Sequence, residues 1–157
     1  MFHEYYHRPM ELPENSIKRY AFIDVYNTVN TTKNLLSFDI DWIKLYKHLT
    51  SSKWNCEKVF FYAGVEIGDL ETEKEYLALE KLGYEMRIKR MMIYKRKDKT
   101  VTVDCAQCGH PNIETIPMGY IKKSNCDVEL TLDTLEHTGP DTELLIFTGD
   151  GDFEYLI

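Results

Sequence analysis

LLIFTGDGDFEYLI, residues 144–157, runs an apolar segment into Thr148-Gly149 and then places Asp150 and Asp152 on either side of one glycine. A short apolar run bounded by turn residues predicts a buried strand, here over Thr142–Phe147. Gly149 and Gly151 are expected to permit a tight turn, holding both carboxylates where the strand ends. The rest of the chain decides what sheet this strand joins.

Working back from it, Tyr20–Asp24, Lys58–Ala63 and Tyr84–Ile88 are further short apolar runs, the second closed by Gly64. Helical patterns lie between them. Ser37 is a candidate cap for a helix over 38–50, with Ile40, Ile43 and Leu49 on one face and Trp42, Leu45 and Tyr46 broadening it. Residues 70–82 predict an amphipathic helix with Leu70 and Leu77 on its apolar side, ended by Gly83. Residues 125–137 predict another, with Val128, Leu132 and Leu135 at i, i+4, i+7, ended by Gly139-Pro140. Thr100–Asp104 and residues 112–116 suggest a hairpin excursion over 91–118, its tip holding Cys105-Ala-Gln-Cys108. Strands alternating with helices imply a three-layer α/β fold, a mostly parallel central sheet with helices on both faces, plus a β-hairpin insertion.

The 157 residues suit one domain, and 43% hydrophobic content suffices for a core. Residues 1–18, with Pro9 and Pro13, read as a flexible lead-in, and 19–157 as the domain. No apolar run approaches the roughly 20 residues of a membrane span, and the polar, aromatic N-terminus is not a secretory signal. A soluble, cytoplasmic protein is expected. Net charge is −7, unevenly spread: residues 81–99 carry eight Lys/Arg and two acids, whereas 124–157 carry nine acids and no Lys or Arg. That asymmetry fits ordinary solvated surface, or a phosphate-attracting rim beside an acidic metal pocket.

In such sheets, sites form at the carboxyl ends of the strands. Asp24 ends the first strand, Asn27 is three residues on, Asp150 and Asp152 follow the last, and Asp127 falls in the first turn of the helix before it. Any one of these aspartates alone could be a helix cap or turn residue. Gathered carboxylates cost on the order of several kcal/mol unless neutralised. A hard divalent cation, Mg²⁺ or Mn²⁺, is the natural partner.

These residues also resemble a known family. Phe22-Ile-Asp24-Val-Tyr-Asn27, Lys122-Lys-Ser-Asn-Cys-Asp127-Val-Glu-Leu-Thr-Leu-Asp133 and Thr148-Gly-Asp150-Gly-Asp152-Phe153 are similar to the three motifs of NYN domains, in the LabA-like branch of the PIN-like nuclease superfamily. The resemblance implies a metal-dependent ribonuclease acting on RNA, with Asp24, Asp127 and Asp150 as metal-holding acids, Asp152 as a fourth acid and Asn27 assisting. Thr148 and Gly151 stand where the family usually has Ser, and Val25-Tyr26 where a glycine often follows the first Asp. The family pattern continues into a further helix and strand, so the domain is expected to be C-terminally incomplete or shortened. Asp133 matches the pattern but is expected to have a structural role, since six residues place it about 240° from Asp127 around a helix.

Cys105-Ala-Gln-Cys108-Gly-His110 looks like half of a zinc knuckle; a plain reduced turn and a redox pair stay open. Cys126 is expected to pack rather than react. Arg90, Lys95, Arg96, Lys97, Lys122 and Lys123 are candidate RNA contacts, with Tyr94 among them for stacking; a lysine-guarded hairpin edge is the alternative. A homodimer is open. The expected function is a divalent-metal-dependent ribonuclease, against a non-catalytic RNA-binding or scaffold module on the same fold. A phosphotransferase resembling haloacid dehalogenases is disfavoured, because Asp24 is followed by Val25-Tyr26 and lacks a second acid two residues on.

Overall fold

The computed structural model describes residues 17–156; the rest of the expected lead-in and Ile157 lie outside them. In order, the elements are β1 (Lys18–Asp24), α1 (Val25–Thr31), a π-helical turn (Thr32–Leu36), α2 (Trp42–Leu49), β2 (Cys56–Val65), α3 (Leu70–Leu82) and β3 (Glu85–Arg90). Then come β4 (Met92–Lys95), β5 (Lys99–Asp104), β6 (Pro111–Ile116), β7 (Tyr120–Lys123), α4 (Asp127–Glu136), β8 (Thr142–Phe147) and a 3₁₀ turn (Gly151–Phe153). The central sheet is wholly parallel, in the order β3-β2-β1-β8.

Side chains alternate across a strand, so a run apolar at every position must be covered on both faces. β1 and β2 are such runs. Ala21, Ile23, Val59, Phe61 and Ala63 face one way, onto Leu49 of α2 and Leu79 of α3. Tyr20, Phe22, Phe60 and Tyr62 face the other way, onto Leu130 of α4 and Phe153. The expected three layers follow directly. Phe22 stacks on Phe60 at 5.0 Å, and Phe61 meets Trp42, Tyr76 and Tyr84 edge-on at 5.1–5.6 Å. Among the described residues, no helix is long and apolar enough to cross a membrane.

The helix faces differ from expectation. α2 starts at Trp42, capped by Asp41, whose carboxylate accepts the Lys44 N–H at 3.0 Å; Ser37 instead ends the π-helical turn in a left-handed conformation at φ 56°. Trp42, Leu45 and Tyr46 pack on the core while Ile43 is exposed. In α3, Tyr76, Leu79 and Leu82 turn inward, and Leu70 and Leu77 outward. In α4 the buried pair is Leu130 and Thr134; Val128, Leu132 and Leu135 are each more than half exposed. Thr134 can be buried because its hydroxyl donates to the Leu130 carbonyl at 2.7 Å. Helical period alone does not choose between overlapping stripes; the sheet's aromatic surface does.

β2 runs through Gly64 to Val65 rather than stopping. A Cβ at Gly64 would collide with Ser124, reaching 2.7 Å from its Cβ, so the glycine marks a close approach rather than a stop. Gly64→Ala is expected to cost about 1–3 kcal/mol and to displace the segment leading into α4. A lowered urea midpoint together with weaker Mn²⁺ binding checks this.

Residues between β3 and α4 form an arm wider than the expected 91–118. β4 pairs with β7 and β5 with β6, both antiparallel. Lys122 and Lys123 lie in β7 at the arm's base.

Candidate active site

Asp24 and Asp150 both cap helical turns, and both keep an oxygen for something else. Asp24 Oδ1 accepts the Asn27 N–H (3.3 Å), while Oδ2 accepts the Asn27 amide (2.7 Å) and the Thr148 hydroxyl (3.1 Å). Asp150 Oδ1 accepts the Asp152 N–H (3.0 Å), and its Oδ2 lies 3.5 Å from the same Asn27 amide nitrogen. One side-chain nitrogen therefore joins the acids that end β1 and β8. The cap and the site are not competing roles; each carboxylate has two oxygens and uses them separately.

Asp127 opens α4, its N–H donating to Asn125 Oδ1 at 2.8 Å. Burial raises its carboxyl above the usual range. The charges of Asp24, Asp150 and Asp152 add to that rise, against the lowering effect of Asn125. Acids from three elements thus share one electrostatic neighbourhood at the carboxyl edge of the sheet. Among the described residues, none of the four has an ion-pair partner: Lys89 goes to Glu129 and Lys122 to Glu66. No group of three or more His, Cys, Asp or Glu among the described residues stands in metal-holding array. The acids are gathered and coupled, but their side chains do not form a closed coordination shell. Their chemistry still fits a hard cation: all-oxygen donors and like charges, with no ion pair to any of the four among the described residues.

Two supports were not foreseen. Thr148 both donates to Asp24 and accepts the Asp150 N–H at 3.1 Å. Thr28 donates to the Phe147 carbonyl at 2.9 Å, fastening α1 to the end of β8. A polar residue one turn into a helix carries no signal for a contact 119 positions away. Gly149 is needed less for turning than for room: a Cβ there would press on the Thr31 hydroxyl. Gly151 meets open space and has no left-handed φ, so the tight-turn role expected of it is not required.

Asp133 stands apart, as expected. It accepts from the Tyr62 hydroxyl at 2.8 Å and pairs with Arg87 Nε at 2.9 Å, and Arg87 in turn lies over the Phe60 ring. Asp133→Ala strands both partners in a half-buried setting and is expected to cost about 2 kcal/mol. Urea denaturation should register that loss, while metal affinity stays at the parent value. Cys126 lies 3.8 Å from the Ala63 and Arg87 carbonyls, and burial pushes its thiol up to about 11; it packs.

The candidate RNA contacts divide. Arg90, Lys95 and Lys122 are paired with Glu73, Asp98 and Glu66. Arg96, Lys97 and Lys123 are exposed, as is Tyr94. Two clefts open elsewhere on the surface, one beside α2 and β8 and one between α3 and β3; neither is lined by the site acids.

Comparison with solved structures finds a protein of unknown function from Vibrio parahaemolyticus, 19% identical with a TM-score of 0.59, covering 92% of this chain and 74% of that one. At that identity the likeness concerns the fold. Comparison with curated proteins gives no match. The NYN domain family model matches residues 19–157, the span that holds the sheet, the arm and all four acids. The chain belongs to the NYN domain family, and its parallel α/β sheet flanked by helices is the PIN-like nuclease fold.

Proposed function

We propose that this domain is a divalent-metal-dependent ribonuclease of the LabA-like branch, hydrolysing RNA phosphodiester bonds. One observation carries the proposal: the charges of Asp24, Asp150 and Asp152 add to the cost of ionising Asp127 at the sheet edge, and among the described residues none of the four acids is in an ion pair. Asp24 and Asp150 would hold Mg²⁺ or Mn²⁺ through the oxygens that now share Asn27, with Asp127 as third ligand. Such an ion supplies an activated water and offsets charge on the phosphate oxygens. Asn27 and Thr148 keep the two strand-end carboxylates in register before the ion arrives. Asp152, which is exposed, would serve as general base toward water that such an ion activates. Arg96, Lys97 and Lys123 supply phosphate contacts, and Tyr26, 71% exposed on α1 next to Asn27, offers a stacking face. A cytoplasmic setting suits that substrate.

The test is cleavage of a single-stranded RNA oligonucleotide in Mn²⁺ or Mg²⁺, compared with the same reaction in chelator and with Asp24→Asn. RNA binding without cleavage in either metal would favour the non-catalytic RNA-binding reading, which the lack of a closed shell among the described residues supports.

The pH dependence has a definite sign. Asp127's folded pKa lies above its unfolded value, so the metal-free fold binds the extra proton. Its stability therefore rises as pH falls through the folded pKa. Metal binding needs the carboxylate, so Mn²⁺ affinity should climb with pH over the same window. Thermal unfolding across pH, with and without Mn²⁺, should show these opposite slopes.

A further inference from the structure

The arm keeps one register from base to tip. Met92 faces Lys123, Lys95 faces Tyr120, Lys99 faces Ile116 and Asp104 faces Pro111, with no slipped residue. Arg96 N–H donates to the Gly119 carbonyl at 2.8 Å across the break between the two ladders. β4, β5 and the three residues between them run from Met92 to Asp104, at most about 40 Å of extended chain at ~3.3 Å per residue. Residues 111–120 are exposed throughout. A two-stranded ribbon is marginal in water without further packing, so something besides its own ladder should secure its end.

The tip is specifically built. Cys105 N–H donates to the His110 carbonyl (2.9 Å) and Gly109 N–H to the Cys105 carbonyl (2.8 Å), with Gly109 left-handed at φ 68°. The backbone N–H groups of Gln107 and Cys108, and the Cys108 thiol, donate toward the Cys105 sulfur. Two thiols on one turn, backbone donors on a sulfur and a glycine to close the loop make half of a tetrahedral zinc shell. Among the described residues the chain does not finish that shell by itself: no third His, Cys, Asp or Glu joins the pair. Cys126 is engaged with two carbonyls on the sheet, and Cys56 is buried at the start of β2. A structural zinc takes four ligands. Two identical pairs related by a two-fold axis supply them, the simplest closed arrangement for a homo-oligomer. Val103 and Ile113, exposed beside the tip, gain cover in the same contact.

We propose that one zinc ion, bound by Cys105 and Cys108 from each of two copies of this chain, joins the arm tips into a homodimer. Each thiol gives up its proton to solvent on binding, so the dimer weakens as pH falls. The proposal is independent of the ribonuclease assignment.

The experiment uses the full chain, reduced and stripped of metal, then titrated with Zn²⁺ while light scattering follows its mass. One zinc per two chains and a doubling of mass, reversed by chelator, are expected. Co²⁺ in place of Zn²⁺ should give intense thiolate charge-transfer absorption that Cys108→Ser and Cys105→Ser abolish. His110→Ala and Asp150→Asn should leave stoichiometry and mass unchanged. One zinc per monomer, zinc-independent mass, a dimer that survives Cys108→Ser, or loss of zinc in His110→Ala would each overturn the assignment.

Discussion

Asp150→Asn is expected to abolish Mn²⁺-dependent RNA cleavage and leave the fold intact. Asparagine keeps the oxygen that caps the 3₁₀ turn, so the Asp152 N–H keeps its acceptor. What is lost is one negative charge beside Asn27, at the point where the ends of β1 and β8 meet. Electrostatic stabilisation by a bound metal amounts to several kcal/mol, so a compromised site should slow cleavage by about 10³-fold. In chelator the sign reverses: one like charge fewer eases Asp127, and the variant should melt at or slightly above the parent temperature. Mn²⁺ should raise the parent's melting temperature by mass action and the variant's much less. A variant that cleaves at the parent rate would remove Asp150 from the mechanism.

Phe61→Ala should be the most damaging change to stability. Phe61 is fully buried on β2 and meets Trp42 of α2, Tyr76 of α3 and Tyr84, so it joins the sheet to the whole of one helical layer. Truncating such a ring costs about 3–5 kcal/mol, against a total of about 5–15 kcal/mol for a domain. A fall of roughly 10 °C in melting temperature follows, measurable by calorimetry. The change lies on the sheet face opposite α4, so Mn²⁺ affinity of the surviving folded fraction should move little. The two variants therefore separate the chemistry from the scaffold.

The strands were legible in sequence for a simple reason. A parallel strand covered on both faces has to be apolar at every position, and Tyr20–Ile23, Val59–Ala63 and Leu144–Phe147 carry that mark locally. The strand-end acids were legible too, because a parallel sheet delivers residues after its strands to one edge whatever their distance along the chain. α3 matched its expected bounds, Leu70 to Leu82 with Gly83 beyond, since a C-terminal glycine is local chemistry.

What tertiary structure decided was orientation. α4 has two overlapping stripes, one through Val128, Leu132 and Leu135 and one through Leu130 and Thr134, and only contact with Tyr20, Phe22, Phe60 and Tyr62 selects the second. The role of Gly64 depended on Ser124, 60 positions later in the chain, and the partnership of Asp24 with Asp150 on one amide of Asn27. Period, caps and turns are set by neighbours along the chain and can be read there. Which face is buried, and which acids meet, depends on surfaces that exist only after the sheet has brought distant segments together.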